Sequence, residues 1–578
     1  MTDDRPAFIP LDIETGSADR LYTSAPDPAY VRLLGVDGEV RGPGEQYFFG
    51  RQPYVTVNGH FFDFPALDRH CGVPVEQTIP FSRDLRVAAF QHDPPTTYET
   101  SSGPGFKSYS MDALAERYLG DARKSDLGKE LAKEYGGWDH IPAGDPRYAE
   151  YLRADLDLTR RLDAAIPWDP YEQREAWVAT VTARATLSGF KVDVPGLTAR
   201  AAELARRAED GRTLLHERFG FPLTDAKGKP YAAPQRTNAG KVALESALTS
   251  FGVDVSSWPR NKDGSLSLAK ETLETAADWA RTVGHACLPV IEAVQEMNGI
   301  RNNAANVLRC VSPDGRVHPQ FLPFQSTGRW SVLEPGLTVL KKGTPDSERA
   351  FLVADEGHVL LSIDADQVDI RCAAAHAQDP ALIALLNDPD RDIHTEIAAM
   401  SRVERKYAKT LDLGWLYGRS AKGMAENTPG VTSQAAYAVT GYMASAFPGV
   451  VAWQKRVREM GDAGVLLTNG WGRRLRVDPQ RSYTQAPAMI GQSTTRDVIA
   501  ECLLTLAHKA PDVLSLIRMV VHDELVVQAR PEDAQEVGRI VRDCMSREWA
   551  PAGASLPVRF TAGRGGIRTS RTWSGLYT

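Results

Sequence analysis

The sequence predicts an α/β chain of several domains, α+β in layout over its later part. Three observations point there. The 578 residues suffice for three or four domains at about 150 residues each. Short apolar runs bounded by turn residues alternate with long stretches of helical periodicity. In the second half, two β-type runs, Val359 to Asp364 and Ile517 to Gln528, flank a largely helical stretch over 380–480. One β-rich unit is therefore split by a helical insertion.

In order along the chain, Ala7 to Ile13 and Tyr54 to Val57 read as strands, and Met111 to Leu119 and Tyr148 to Leu162 as helices. Ile166-Pro167-Trp168-Asp169-Pro170 carries two prolines and reads as a linker. Residues 171–300 are mostly helical and rich in Ala, Arg and Glu, with turn-prone stretches at 222–236 and 258–266. No internal repeat or low-complexity tract interrupts the pattern.

A hydrophobic fraction of 42% and a charged fraction of 24% are those of a soluble globular protein. They exclude a disordered tail, a collagen-like chain and a disulfide scaffold. With 67 Lys and Arg against 74 Asp and Glu, the net charge is −7, which excludes a coat that holds nucleic acid by bulk charge. The six cysteines, at 71, 287, 310, 372, 502 and 544, lie too far apart for a CxxC metal knuckle and suit buried thiols in a reducing compartment. Met-Thr-Asp-Asp-Arg-Pro lacks the basic start and apolar run of a signal peptide. No stretch approaches the ~20 apolar residues of a membrane span. A cytoplasmic location without a membrane partner is expected.

The run Ile9-Pro10-Leu11-Asp12-Ile13-Glu14-Thr15 places Asp12 and Glu14 two residues apart, on one face of a strand. Two such carboxylates repel unless a cation lies between them, and a divalent metal does this well. Alone, the pair fits two solvated acids at least as well. Asn58-Gly59-His60-Phe61-Phe62-Asp63 adds an acid after a strand, and Tyr151-Leu152-Arg153-Ala154-Asp155 sets a phenol and a carboxylate one helical turn apart. DxE, NxxxFD and YxxxD in this order resemble the DEDDy family of 3′→5′ exonucleases. The resemblance implies a ribonuclease-H-like fold and two-metal hydrolysis, with Asp12, Glu14, Asp63 and Asp155 as metal ligands and Tyr151 orienting the attacking water. In such chemistry ions roughly 4 Å apart hold the attacking and leaving oxygens of a phosphodiester. All five positions carry the required residue types, so an active nuclease is expected.

A second pair of acids lies further on. Leu360-Leu361-Ser362-Ile363-Asp364 is an apolar strand ending in an acid, and Met519-Val520-Val521-His522-Asp523-Glu524-Leu525 is two apolar runs about a polar turn. Buried strands do not end in Asp without a partner, so Asp364 and Asp523 could meet at one metal site. Either segment alone is equally an ordinary strand and turn. Between them, Arg405, Lys409, Leu413 and Tyr417 recur every four residues. Each step drifts ~40° around a helix, giving one slanting stripe. Two cations suit a triphosphate and the apolar end suits a base; an amphipathic helix with a solvated basic edge is the alternative.

These three segments resemble motifs A, B and C of family A DNA polymerases, the class of bacterial DNA polymerase I. Ser326-Thr327-Gly328-Arg329-Trp330-Ser331 is similar to the family's TGRxS segment, Asp392-Ile393-His394-Thr395 to its DIH, and Gln492 to Asp497 loosely to its QGTxxD helix. The resemblance covers nearly the whole chain. No 5′-nuclease segment precedes the exonuclease motifs, so the compact, phage-type form is the expected one. The implied fold is a ribonuclease-H-like exonuclease domain over 1–167 joined to a right-hand polymerase: thumb 168–300, palm 301–380 and 483–578, fingers 381–482. The implied function is template-directed addition of dNMPs to a primer 3′ end, with 3′→5′ proofreading.

By the same resemblance, Asp364 and Asp523 bind two Mg²⁺ ions, with Mn²⁺ as an alternative, and Glu524 is a supporting acid. His394, Arg405 and Lys409 hold nucleotide phosphates, and Lys409 is also a proton donor to pyrophosphate. Leu413 and Tyr417 line the base side, with Tyr417 under the nascent pair. Arg329, Gln492 and His522 contact the primer-template DNA, where minor-groove acceptors are shared by all correct pairs. Primer-template DNA and dNTPs are the expected partners and a monomer the expected state; nothing supports a helicase, primase or single-strand-binding partner. Basic clusters for DNA are Arg405, Lys406 and Lys409; Lys455, Arg456 and Arg458; Arg473, Arg474 and Arg476.

Several positions depart from the family. Asp369 stands where the family usually has a Glu that blocks a 2′-hydroxyl, so exclusion of ribonucleotides is expected to be looser, or restored by packing against Tyr417. Leu413 replaces a Phe or Tyr, Asp412 an Asn, and Ala365 a Tyr. A competing function is an exonuclease whose polymerase half only binds DNA, and another a non-catalytic DNA-binding scaffold. The intact Asp364/Asp523 pair and the Arg405–Lys409 stripe weigh against both.

Overall fold

The computed structural model describes residues 6–42, 52–97, 99, 107–120, 125–261, 263–342, 344, 347–428 and 430–577. The first sheet has five strands, β1 Ile9–Thr15, β2 Val31–Val36, β3 Glu39–Arg41, β4 Tyr54–Thr56 and β5 Arg83–Asp84, in the order β3-β2-β1-β4-β5. β1 runs antiparallel to β2 and parallel to β4. Leu11, Ile13 and Leu34 pack with Phe64, Ala66 and Leu67 in one core. The helix Pro146–Ala165 packs on β1 and β2 through Leu33, Tyr148, Tyr151 and Leu152. Gly35, the register partner of Asp12, permits this approach: a Cβ there would come within 2.7 Å of the Leu156 side chain and 3.0 Å of Leu152.

The chain divides into two compact units, one of Met1–Val192 with Cys310–Thr578 and one of Asp193–Arg309. The boundaries expected at 168 and 300 therefore shift. The helix Tyr171–Ser188 stays with the larger unit because Ala176, Ala179 and Ala183 belong to the first sheet's core. Its start also enters a buried ion network. Tyr171 donates to Asp497 at 2.9 Å, Arg174 pairs with Asp497 at 2.9 Å, and Glu175 pairs with Arg496 at 2.6 Å and Arg473 at 3.0 Å. Nor is 166–170 a free linker: the buried Arg83 donates to the carbonyls of Ile166 and Pro167 and pairs with Glu172 at 2.7 Å.

In the smaller unit, Asp193 caps the helix Val194–Phe219 by accepting from the Gly196 N–H, and Gly220 ends it with φ +71°. Leu215, Phe221, Leu244, Leu248, Leu273, Val290, Ile291 and Val294 form its core. The turn-prone stretches carry isolated bridges, Thr224 to Pro230 and Arg260 to Leu266.

The larger unit's second sheet is antiparallel, with strands Ile517–Val521, Glu524–Ala529, Val359–Asp364 and Arg568–Ser570 side by side in that order. Ile517 to Gln528 is thus a hairpin turning at His522-Asp523, with His522 at φ +47°. Every residue of its two strands is buried, which accounts for the two largely apolar runs. Among the described residues, six helices lie between Pro380 and Asp462. Among the described residues no single helix is long and apolar enough to cross a membrane, and all six cysteines are free thiols.

The helices Val368–Ala377 and Ser482–Lys509 meet at His376, whose Nε2 lies 2.8 Å from the Thr494 hydroxyl and whose ring stacks near Trp453. Burial holds His376 neutral down to about 4. The unfolded chain takes up this proton near pH 6.5, so the stability is complete above that value and lost as pH falls toward 4. His376→Phe is expected to flatten this acid limb, by up to ~1.4 kcal/mol per pH unit. Melts at pH 4.5, 5.5 and 6.5 check this; an unchanged pH slope counts against it.

Candidate active sites

Five of the predicted residues come together on the first sheet. The carboxylates of Asp12, Glu14 and Asp155 offer ligand atoms all within 4.8 Å of one another. Asp12, Glu14, Asp63 and Tyr151 line one cleft of about 380 Å³. Asp63 opens the helix Asp63–Cys71. The loop before it is pinned by the Asp84 carboxylate, which accepts from the backbone N–H groups of Asn58, His60 and Arg86. Asp155 and Tyr151 share one face of the helix Pro146–Ala165, seated over Gly35. An all-oxygen carboxylate cluster of this size suits a hard divalent cation such as Mg²⁺ or Mn²⁺.

Sequence reasoning missed several groups here. Tyr148, one turn before Tyr151, donates its hydroxyl to Glu14 at 3.4 Å; burial, then the Glu14 carboxylate, pushes this phenol well above its ordinary range. Asp112, Asp126, Lys129 and Trp138 also line the cleft. The YxxxD motif starts at Tyr151, and no pattern singled out its neighbours. Gly128, in the helix Leu127–Tyr135, backs directly onto Tyr151: a Cβ would lie 2.7 Å from Tyr151 Cζ and 3.1 Å from Trp138 Cη2. Gly128→Ala is therefore expected to displace the Tyr151 ring. A 1 Å misplacement can cost ~100-fold, so single-strand digestion should fall at least tenfold while primer extension holds. Digestion at the wild-type rate would show that Tyr151 is not positioned there.

On the second sheet, the strand ending at Asp364 pairs with the hairpin, Asp364 opposite Glu524. The next N–H, of Ala365, donates to the Asp523 carbonyl at 2.9 Å. This bond joins two acid-bearing turns from opposite ends of the insertion. Asp364 and Asp523 line a cleft of about 370 Å³ with Asp369, His394, Arg405, Lys409 and Leu413. Burial pushes Asp364 up to about 7, and the carboxylates of Asp523 and Glu524 act the same way. Asp523 is raised by burial and then by Asp369. Buried like charges favour a proton or a cation between them, and these hard oxygen donors again fit a divalent metal.

The remaining predicted residues take varied positions. Arg405 lines the cleft but pairs with Asp392 at 3.0 Å; although burial opposes its charge, Arg405 and Thr395 hold the Asp392 carboxyl at about 2. Tyr417 follows the end of the helix Arg405–Leu416 and is not among the cleft residues. It packs against Gly491, and burial followed by the Asp369 carboxylate drives its phenol far up. Glu524 also lies outside the cleft lining, buried and accepting from Ser362, from the Tyr577 hydroxyl at 2.7 Å and from Lys342 at 3.4 Å. Arg329 is half-buried, with its Nη2 3.5 Å from Asp369. Gln492 is half-buried on the helix Ser482–Lys509, and His522 is exposed at the hairpin turn.

One basic cluster is corrected. Arg473 is buried in the ion network, Arg474 pairs with Asp169 at 3.1 Å and Arg476 with Asp93 at 3.0 Å. Arg473 is thereby spent inside the protein, and Arg474 and Arg476 are each half-exposed beside an acid. Sequence reasoning also passed over one cleft residue and one bond behind the cleft. Arg564 lines the cleft from the chain's last segment. The fully buried Asp412 accepts from His394 Nδ1 at 2.5 Å, an orienting bond that an Asn would make without charge.

Two sheets each carry an acid-lined cleft, with cations gathered beside one of them, an arrangement that suits metal-assisted phosphoryl chemistry. The sequence profile of DNA polymerase family A matches residues 243–567, more than half of the chain, and the chain belongs to that family. The DNA polymerase of Mycobacterium phage D29 is 25% identical over 86% of this chain and 81% of its own length. The thermostable DNA polymerase I of Thermus filiformis is 28% identical over 78% of this chain. The chain spans about half the length of that polymerase, 54%. In fold it is similar to the POL domain of Pol1 from M. smegmatis, solved in complex with DNA primer-template and dNTP, with a TM-score of 0.72, 19% identity, and coverage of 99% of this chain and 96% of that one.

Proposed function

We propose that the chain is a template-directed DNA polymerase that extends a primer 3′ end with dNTPs and proofreads with a 3′→5′ exonuclease. The observation that carries this reading is the Ala365–Asp523 backbone bond, which sets Asp364 and Asp523 in one cleft beside Lys409, Arg405 and His394. In this reading Asp193–Arg309 is the thumb, the second sheet is the palm and the helical insertion is the fingers.

Asp364 and Asp523 would hold Mg²⁺, or Mn²⁺, which when bound supplies charge neutralisation and a more acidic primer 3′-hydroxyl. Lys409 and His394 bind the triphosphate, and Lys409 gives its proton to the leaving pyrophosphate. Arg405 contributes the guanidinium donors left over from Asp392. Leu413 and Tyr417 border the base, Asp369 the sugar. Glu524 backs Asp364 from inside the sheet. Arg329, Gln492 and His522 contact primer-template DNA. At the other cleft, Asp12, Glu14 and Asp63, with Asp155 beside them, would hold the metals, and Tyr151 would orient the water. The similar fold of a polymerase domain solved with primer-template and dNTP supports these partners.

The test is one primer-extension assay with template, labelled primer and Mg²⁺, with or without dNTPs. Extension with dNTPs and shortening without them is expected. Shortening under both conditions would leave only the exonuclease, and no change would leave a DNA-binding scaffold.

A further inference from the structure

Asp369 sits in the first turn of the helix Val368–Ala377 and lines the cleft of Asp364 and Asp523. Its carboxylate is one methylene shorter than a Glu and is not left to rotate. The Thr495 hydroxyl, from the facing helix Ser482–Lys509, donates to Asp369 Oδ1 at 2.9 Å. Arg329 Nη2 approaches the same oxygen at 3.5 Å. Thr495 is 1% exposed, with the Gly491 carbonyl at 3.1 Å and Cys372 Sγ at 3.6 Å as its other neighbours. Of these acceptors the carboxylate is the strongest, so the single hydroxyl proton is best placed on Asp369. Both donors thus converge on one oxygen.

We propose that Thr495 is a specificity-determining residue that locks Asp369 as the wall of the sugar site. This rests on the polymerase reading above. A steric wall discriminates only as strongly as it resists moving, because the clash is relieved by the cheapest available motion. A rotamer change in a short, unanchored Asp is cheap. Breaking a buried hydrogen bond to a carboxylate makes that motion costlier. The anchor thereby offsets the missing methylene: the shorter side chain excludes a 2′-hydroxyl by being held still. Thr495 and Arg329 supply this anchor, beside the Tyr417 phenol that also faces the Asp369 carboxylate.

The test uses the full chain in single-nucleotide incorporation and reads the ratio of kcat/KM for a dNTP over the matching rNTP. Thr495→Val keeps the branched shape and removes the donor; it is expected to lower this ratio about tenfold, the scale of one hydrogen bond to a charged group. Thr495→Ala, a second donorless variant, should do the same, and Thr495→Ser should restore the wild-type ratio. In an Asp369→Ala background Thr495→Val should change nothing, because its effect passes through the carboxylate. An unchanged ratio in folded Thr495→Val and Thr495→Ala overturns the proposal, as does an equal fall in the Asp369→Ala background. Wild-type protein that incorporates no dNTP overturns the polymerase reading and this proposal together. Incorporation by wild type with an unmoved ratio in the variants overturns this proposal alone.

Discussion

Asp523→Ala is expected to reduce primer extension by about a thousandfold or more while digestion of a single strand continues. Removing a mere outer partner of a metal ligand costs 10–100-fold, and Asp523 is placed as a ligand itself. The variant has a second signature without catalysis. Asp364 is raised to about 7 by burial and by its acidic neighbours. A carboxyl raised in the folded state contributes most below its unfolded value near 4, and that stability is lost as pH rises through about 7. In EDTA at pH 8 the wild type therefore carries uncompensated repulsion, and Asp523→Ala should melt higher than wild type. At pH 5, with Asp364 protonated, the difference should shrink. Melts at the two pH values check the electrostatics separately from the assay. Loss of both activities in a folded variant would mean that the two clefts are not separate sites.

Asp12→Ala is expected to do the converse: digestion falls by a similar factor and extension persists. Asp12, Glu14 and Asp155 present their ligand oxygens within 4.8 Å of one another, so deleting one leaves two of these three carboxylates to hold a divalent cation. The measurable consequence is a labelled primer that no longer shortens without dNTPs, and a mismatched 3′ end that survives incubation. Together the two variants form a crossed pair, which separates a chemical defect from a general loss of DNA grip. A variant that weakened grip alone would lower both rates.

Much of this was legible in the sequence because period and spacing are local. Asp12 and Glu14 had to share a face once the run was a strand, since successive side chains alternate. Arg405, Lys409 and Leu413 line one cleft, as the four-residue spacing on a helix requires. The two apolar runs about the His522-Asp523 turn reflected strands buried along their whole length. Tyr417 marks the limit of such reasoning. The spacing extended the stripe to it, but the helix ends at Leu416, and past that point helical geometry no longer dictates direction.

Long-range partners set a different limit. Two prolines near 167 read as a linker, yet Arg83, 80 or more residues earlier, holds that segment by its carbonyls. Arg473, Arg474 and Arg476 looked like a DNA-facing cluster, yet each meets a carboxylate from the first 180 residues. Charge in a sequence has no address until the partners are known. The net charge of −7 belongs to the same lesson: acids gathered for cations and acids pairing buried arginines count alike in the sum.

By itself, then, the sequence determined the element types, the faces of the acids and the family pattern, because these follow from backbone periodicity and the order of residues along the chain. Only the tertiary structure decided which distant groups meet: the Ala365 N–H on the Asp523 carbonyl, Asp412 on His394, Gly128 on Tyr151, and Thr495 on Asp369. Such contacts depend on how whole elements pack, and packing is set by many side chains at once, none of which carries the answer in its own position.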